Sequence, residues 1–534
     1  MEWSYRLLDE AGRRVFRAVS VFPAGFTLEA AEAVAGDAAG PAVLHLVDCS
    51  LLTPPRPGPD GRVRYLMLET LRSYGAGLLA AAGEQDQAAA ALAGWAVGMA
   101  EQAAAGLESS TGEAGAARWL DAEDATMRQV LAWAMGRDRQ AALRLAGALS
   151  RWWLLRGRLS GVYPLLAELA GYAEPGSDRW CTAQVWAGFA AVFSSDPAGA
   201  LRYFTALRDA VANRPPSRAL ADALAGRSRS LLDLGQIPEA AEEARRALAV
   251  ARDVGYPVRE VFALVCLASA AMAAGDAGEA VRLARQAGQF PGDIPPSMAR
   301  LCHSVLAEVL IQAGDFAAAE PAGAAALAAS REAGDLRGLP VLLYQMVLLD
   351  LRAARTEDAA AHLREALRIA LRTGATRWNM LDACGYLCAA TGRPAEAVTA
   401  WAAYAALMSQ DWPGDARRRE GPLRAAWQAL GPDRARAAEE RGAAMSWATA
   451  AEYALLLAEH PGPRQPAAPG VSNLSVRERE LVRLVAQGRT DAQIAAELYI
   501  SVRTVRSHLD RIRDKTGARR RADLTRLALA AELV

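Results

Sequence analysis

The sequence predicts an all-α protein of several domains. Hydrophobic residues make up 52% of the 534 residues and aromatic residues only 6%. This alanine-rich composition favours close-packed helices, because strands prefer β-branched and aromatic residues. A chain of this length exceeds what one hydrophobic core supports, so several domains or an array of stacked units are expected. Glycine-containing turns recur at a nearly constant interval, which points to stacked units.

The N-terminal part differs from the rest of the chain. Helical periodicity runs through residues 7–22, and two further short helices are expected after it. The period then changes, because residues 51–53 and 63–67 are short apolar runs that flank a Pro/Gly-rich connection. That pattern is typical of a β-hairpin. Helices, one hairpin and a following helix predict a winged-helix-like module over residues 1–90.

This module resembles the winged-helix segment that follows the nucleotide-binding core of STAND-type NTPases. The matching residues are Trp3-Ser4-Tyr5, Arg14-Val15-Phe16, Phe22-Pro23-Ala24-Gly25-Phe26, Ser50-Leu51-Leu52 and Leu68-Glu69-Thr70-Leu71-Arg72-Ser73-Tyr74. In such proteins the wing packs against the NTPase domain, so the resemblance implies a structural role and not DNA binding. Because the resemblance to this segment begins at Trp3, we expect a regulator that has lost the nucleotide-binding core, or a gene start assigned too far downstream.

The lysine content argues against an NTPase within this chain. Lys515 is the only lysine, and every other basic side chain except histidine is arginine. A Walker A loop needs its lysine to reach the β and γ phosphates of the nucleotide. An autonomous NTPase is therefore disfavoured, and we expect neither catalytic residues nor a cofactor.

Metal binding and membrane insertion are also not expected. The six cysteines and five histidines are scattered, without the close spacing of metal ligands. No charge-free apolar run reaches the roughly 18 residues that a membrane helix needs. The N-terminus lacks a basic stretch followed by an apolar one, so no signal peptide is visible. The sequence predicts a cytoplasmic protein.

A repeated segment marks the middle of the chain. It occurs at residues 235–241, 275–281, 314–320, 354–360 and 392–398, with start-to-start spacings of 40, 39, 40 and 38. A second mark, rich in alanine and leucine, leads to Gly255, Gly334 and Gly374. Each unit is thus predicted to be a helix, a glycine-containing turn, a second helix and a glycine stop. Weaker echoes near Ser195 and Gly157 extend the array towards the N-terminus.

These units resemble tetratricopeptide repeats (TPRs), although their period is nearer 39 than 34 and most lack the closing proline. The sequence therefore predicts a TPR-like α-solenoid over residues 91–458. A concave surface is implied, which would take an unknown protein or small-molecule effector. A generic α-solenoid without a ligand explains the apolar pattern equally well. Residues 459–473 contain four prolines without apolar periodicity and are predicted to be a linker.

Two capping boxes are predicted in residues 474–534. Ser475 precedes Glu478 by three residues, and Thr490 precedes Gln493 by the same spacing. In a capping box each side chain satisfies a free backbone N–H at the other residue. Both pairs therefore predict the beginning of a helix.

A third helix is predicted to start at Ser501, directly after a three-residue turn at 499–501. Val505, Leu509 and Ile512 are spaced to face the core. The opposite face presents Arg503, Arg506, Ser507, Asp510, Arg513 and Asp514. Two short helices joined by a tight turn, the second of them basic, form the helix-turn-helix pattern.

Charge supports the same reading. Residues 472–534 hold thirteen Arg/Lys and eight Asp/Glu, whereas the whole chain has a net charge of zero. This excess of basic residues predicts that the C-terminal region binds a polyanion. Arg506 and Ser507 are the leading candidates for contacts with base edges, since arginine can form a bidentate bond to guanine.

The C-terminal segment resembles LuxR-type DNA-binding domains. The resemblance rests on Leu474-Ser475-Val476-Arg477-Glu478-Arg479-Glu480, Gly488, Ile494-Ala495, Ile500-Ser501, Thr504-Val505-Arg506-Ser507-His508, Lys515 and Gly517. Residues predicted to contact double-stranded DNA are Thr490, Gln493, Ser501, Arg503, Thr504, Val505, Arg506, Ser507, His508 and Lys515. Asp491 and Asp510 depart from the family pattern, which more often has asparagine and a basic residue there.

The resemblance also implies a homodimer on DNA. In LuxR-type domains the last helix often forms the dimer contact, and here Leu524, Leu527 and Ala528 would supply an apolar stripe. The predicted function is sequence-specific promoter binding by a transcriptional regulator that is not an enzyme. The alternative is a TPR-like interaction scaffold with a vestigial DNA-binding domain.

Overall fold

The computed structural model describes residues 2–37, 39–373, 379–407, 413–459 and 474–530. Within these ranges the chain forms 29 α-helices, one short 3₁₀ helix and a two-stranded sheet. The predicted all-α fold class is therefore confirmed. Gly374 and residues 460–473, which hold nearly all of the predicted linker, lie outside the described residues.

The N-terminal module consists of short helices and one small hairpin. Its elements are α1 (Glu2–Arg6), α2 (Glu10–Val19), α3 (Leu28–Ala35), α4 (Ala39–Asp48), β1 (Arg56–Pro57), β2 (Val63–Arg64) and α5 (Glu69–Ala81). The strands are antiparallel, with Arg56 opposite Arg64. The first strand thus lies at residues 56–57 and not at the predicted residues 51–53. Leu51 and Leu52 are instead buried in the hydrophobic core.

The hairpin packs against the helices that follow it. The Arg64 guanidinium pairs with Asp60 at 3.0 Å and with Glu123 at 2.7 Å, and all three side chains are buried. Glu123 lies just after α7, so this contact ties the hairpin to the helical array. The next helix, α6 (Gln85–Leu107), spans the predicted domain boundary at residue 90.

Helices fill the middle of the chain. They are α6, α7 (Glu113–Ala122), α8 (Asp124–Arg137), α9 (Arg139–Leu155), η1 (Ser160–Val162), α10 (Tyr163–Ala170), α11 (Asp178–Phe193), α12 (Pro197–Val211), α13 (Arg218–Asp233), α14 (Ile237–Asp253), α15 (Pro257–Ala273) and α16 (Ala277–Gly288). The array continues with α17 (Pro296–Ala313), α18 (Phe316–Ala333), α19 (Leu339–Arg352), α20 (Thr356–Thr373), α21 (Met380–Ala390), α22 (Pro394–Leu407), α23 (Pro413–Leu430), α24 (Pro432–Ala443) and α25 (Trp447–Glu459). From α10 to α22 each helix packs against its neighbour in sequence.

The repeated sequence mark is the turn between the two helices of a unit. Its first residue has a positive φ in every unit, from 58° at Ala354 to 87° at Gly275. Glycine adopts this left-handed conformation without a steric penalty, which explains why four of the five marks begin with it. Ser195 has a φ of 60° before α12, so the weak echo there forms the same turn.

Alanine allows the helices to approach closely. In α14, Ala240, Ala244, Ala247 and Ala251 recur at helical spacing and are fully buried. A small side chain at each of these positions lets the neighbouring helix pack near the backbone. The alanine-rich composition therefore reflects close helix packing.

Helices of the array that are far apart in sequence also contact each other. The Arg300 side chain bonds Glu113 and Asp335, both at 2.9 Å, and all three groups are buried. Leu336 N–H donates to the Leu155 carbonyl at 2.7 Å. These contacts join α7 and α9 to the region of α17 to α19.

The C-terminal domain has four helices, α26 (Val476–Ala486), α27 (Asp491–Glu497), α28 (Val502–Thr516) and α29 (Arg521–Ala530). Its core contains Leu481, Val485, Ile494, Val505, Leu509, Ile512 and Leu524, all buried. Throughout the described part of the chain, helices that combine the length and the apolar character of a membrane span are absent.

Candidate nucleic-acid interface

Both predicted capping boxes are confirmed. At α26 the Ser475 N–H donates to the Glu478 carboxylate at 2.8 Å, and the Glu478 N–H donates to Ser475 Oγ at 3.2 Å. At α27 the Thr490 N–H donates to Gln493 Oε1 at 2.9 Å, and the reciprocal bond is 3.2 Å long. Thr490 and Gln493 remain exposed at the beginning of α27.

The turn between α27 and α28 brings the second helix across the first. Tyr499 has a φ of 55° and its side chain is almost fully exposed. The Ile500 N–H then donates to the Ala495 carbonyl at 3.0 Å, which closes the turn. Ser501 caps α28, since its Oγ accepts from the Thr504 N–H at 3.1 Å. This is the geometry of a helix-turn-helix.

The two faces of α28 have opposite character. Val505, Leu509 and Ile512 point into the core and are at most 2% exposed. Val505 was predicted to contact DNA, and the structure corrects this prediction because the side chain is buried. It can only position the helix. The exposed residues of the outer face are Arg503, Arg506, Ser507, Asp510 and Asp514, whereas Thr504 and His508 are partly exposed at its edge.

Asp491 links three helices of the domain. Its Oδ1 accepts a 2.6 Å bond from Arg521 at the beginning of α29. Its Oδ2 lies 3.5 Å from Arg506 Nε on α28. The Arg506 side chain remains 71% exposed. The carboxylate is therefore fixed by Arg521 and also contacts the largely exposed arginine predicted to read a base.

Asp510 has a basic neighbour on its own helix. Its Oδ1 accepts a 2.7 Å bond from Arg513, one turn further along α28. A carboxylate near DNA phosphates would repel them, but a paired guanidinium offsets part of that charge. The pair with Arg513 therefore reduces the repulsion that Asp510 would exert on DNA phosphates.

Lys515 has a partner within the domain. Its Nζ donates to both carboxylate oxygens of Glu478, at 2.7 and 2.8 Å. This bond, together with the Ser475 N–H, lowers the pKa of Glu478 to about 2. The pair ties the end of α28 to the start of α26. The structure thus gives Lys515, a predicted DNA contact, a structural role.

The predicted dimer stripe lies inside the domain. Leu524 and Ala528 are fully buried in the core with α26, and Leu527 packs against the same core. Leu524 and Ala528 hold α29 to its own domain, so in this conformation they are not available to a second copy. The prediction of a dimer contact is corrected for Leu524 and Ala528, whereas for Leu527, which is partly exposed, it stays a prediction. Periodicity located an apolar face but could not tell which surface covers it.

Sequence reasoning missed two features of this site. Arg521 is one, and its signal was weak because it is the third arginine in the run Arg519-Arg520-Arg521. The other is Asp491, which the sequence flagged only as a departure from a pattern. Their ion pairs arise from residues 30 and 15 positions apart, which no local spacing reveals.

Comparison with known proteins agrees with this geometry. Residues 472–528 match the family model of bacterial regulatory proteins of the luxR family. This segment is a LuxR-type helix-turn-helix domain. The transcriptional regulatory protein NarL of Mycobacterium tuberculosis is 41% identical over 71 residues, which are 13% of this chain and 33% of that protein.

A longer similarity extends into the array. A Mycobacterium bovis protein that carries the name of an HTH-type transcriptional regulator is 29% identical over 413 residues. The match covers 68% of this chain and 45% of the relative, so the chain spans less than half of that protein's length.

Among solved structures, one match reaches only a low structural similarity. It is the STAND protein with a tetratricopeptide repeat sensor from Pyrococcus horikoshii, with 14% sequence identity and a TM-score of 0.41. The match covers 80% of this chain and 65% of that one.

Proposed function

We propose that this chain is a transcriptional regulator that binds specific promoter DNA through the outer face of α28. The observation that carries the proposal is the pairing of a capped helix-turn-helix with an exposed, arginine-bearing face on its second helix. Such a helix fits the major groove, where arginine can bond guanine and serine can bond several bases.

We expect some of these residues to contact bases and others to contact phosphates. Arg506 and Ser507 are placed to reach base edges, and Arg503 would add a base or phosphate contact. Thr490, Gln493 and Ser501 lie exposed near helix starts, where backbone N–H groups and hydroxyls commonly bond phosphates. Phosphate contacts would fix the register of the domain, and base contacts would supply the specificity.

The TPR-like array would act as the sensory or interaction part. The Glu113–Arg300–Asp335 ion pairs join distant helices of the array and so give a stable platform for a partner. We infer a protein or small-molecule effector, in keeping with the general use of helical repeats as binding surfaces. The active form on DNA would be a homodimer, and its contact would have to use residues other than Leu524 and Ala528.

A binding-site selection experiment tests the base-reading role. The full chain should enrich one short motif, and Arg506→Ala should relax preference at one position of it. The expected cost at that position is about 1–3 kcal/mol. Arg483→Ala, an exposed arginine on α26, is the matched control and should keep the motif.

Two results would contradict the proposal. If Arg506→Ala selects the same motif with the same discrimination, Arg506 does not read a base. If the full chain enriches no motif and binds all sequences weakly, the alternative of an interaction scaffold with a vestigial DNA-binding domain is favoured.

A further inference from the structure

The C-terminal domain does not stand apart from the array in this structure. Its last helix, α29, packs on one side against α26 of its own domain and on the other against α25, the last helix of the array. Ala522 is fully buried and belongs to the same apolar cluster as Met445 and Tyr453 of the array. Leu524 and Ala528, in contrast, belong to the core of the C-terminal domain. α29 is therefore shared between two cores.

A second contact lies beside the first. At Gly488, which follows α26, an added Cβ would lie 2.6 Å from the Ala444 carbonyl oxygen. Real side chains do not come this close to a backbone oxygen, so only glycine allows the approach. Ala444 directly follows α24, and Met445 lies shortly before α25. The C-terminal domain thus contacts the end of the array through two separate segments.

The surface of the C-terminal domain that the array covers is not the outer face of α28. The array covers Ala522 and approaches Gly488, whereas the outer face of α28 remains exposed. Ala522 and Gly488 are both small, which lets the C-terminal domain approach the end of the array closely. The contact can hold the domain without blocking its basic face.

We propose that α25 and α29 form an intramolecular interface through which the array orients the DNA-binding domain, so that a shift of α25 is transmitted to α29. Such coupling needs a contact between the array and the DNA-binding domain, and the burial of Ala522 against Met445 and Tyr453 supplies it. The functional consequence rests on the proposed DNA binding, but the interface itself does not.

Hydrogen exchange of the full chain without DNA tests the interface. Ala522→Glu places an unpaired charge against the array, and a buried charge without a partner is strongly unfavourable. Glutamate in the first turn of a helix is favoured by the helix dipole, so α29 itself should remain helical. Ala496→Glu, at an exposed position of α27, is the control with the same charge change.

In Ala522→Glu we expect exchange in residues 447–459 to accelerate by about tenfold or more, with α26 and α28 unchanged. Ala496→Glu should leave residues 447–459 protected. If Ala522→Glu gives the same exchange there as the control, the interface does not exist.

Should Ala522→Glu also lose protection in α26 and α28, the uncharged Ala522→Gln decides the question. It keeps a helix-forming residue and still overfills the contact, so protection of residues 447–459 should fall while that of α26 stays. Unchanged protection of residues 447–459 in Ala522→Gln would overturn the proposal. DNA is absent from these measurements, so failure of the proposed DNA binding would leave their outcome unaffected.

Discussion

The arginines of the array and those of α28 serve different purposes. In the array, Arg300 is buried and bonds two carboxylates, and Arg259 is buried and pairs with Asp222. On α28, Arg503 and Arg506 are exposed, and Arg506 lies 3.5 Å from Asp491. Charge in the array is engaged in holding the chain together, whereas charge on α28 is available to another molecule. This comparison separates variants that affect folding from variants that affect binding.

The largest expected effect is at Arg300. Arg300→Met removes the closest cationic partner of the buried Glu113 and Asp335, which keep the Ser297 N–H and a 3.8 Å contact with Arg337. Breaking a buried ion pair costs about 3–5 kcal/mol. Urea unfolding followed by circular dichroism should show this loss of stability. Arg245→Met is the control, because that arginine is 62% exposed and its pair with Glu242 should contribute under about 1 kcal/mol. Equal losses of stability in the two variants would show that the Arg300 ion pairs do not stabilise the array.

Glu478 offers a test that depends on pH. Glu478→Gln keeps a bond to the Ser475 N–H but removes the charge paired with Lys515. Because the pKa of Glu478 in the fold is about 2, below its ordinary 4.5, the stabilisation is complete above pH 4.5 and is lost as the pH falls towards 2.

Lys515 is 42% exposed, so solvent weakens the pair, and we expect on the order of 1–2 kcal/mol at pH 7. The measurement is the opening free energy of α26 from hydrogen exchange, corrected for the intrinsic rate at each pH. The difference between wild type and Glu478→Gln should be smaller at pH 3 than at pH 7. The same difference at both values would mean that the pair with Lys515 does not stabilise the domain.

Asp491 should affect discrimination more than affinity. Asp491→Asn weakens the restraint on Arg506 and removes a negative charge near DNA, so non-specific binding should rise. Preference for the base read by Arg506 should fall by about 1 kcal/mol. The readout is the ratio of affinities for the selected site and a site with that base changed. Asp514→Asn, which removes an exposed carboxylate of α28, should keep this ratio. A fall of the same size in both variants would assign the effect to charge alone.

Ala354 gives the smallest effect and belongs to the array. It has a φ of 58° where the other repeat marks have glycine. Ala354→Gly should stabilise the array by about 0.5–1 kcal/mol, because it relieves a left-handed alanine. Ala353→Gly, at the preceding residue with a φ of −83°, should not stabilise. A stability loss in Ala354→Gly measured by urea unfolding would contradict this explanation of the repeat mark.

The sequence revealed what depends on local spacing. Capping boxes at Ser475 and Thr490 and the repeat turns each lie within a few residues, so their signals survive without the fold. The position of β1, the bond between Lys515 and Glu478 and the burial of Ala522 depend on residues far apart in the chain. Leu524 shows the difference well: helical periodicity identified an apolar face, but only packing decides that it faces α26.

We expect α28 to present the DNA-binding surface. Titrations of the selected DNA site across salt concentrations test it most directly, with Arg503→Glu/Arg506→Glu compared with the control Arg479→Glu/Arg483→Glu on α26. Both variants change the net charge equally. We predict that the wild type binds with affinity that falls steeply with salt and that the α28 variant loses on the order of 100-fold or more, with a much smaller loss in the control. Equal losses in the two variants would contradict the claim.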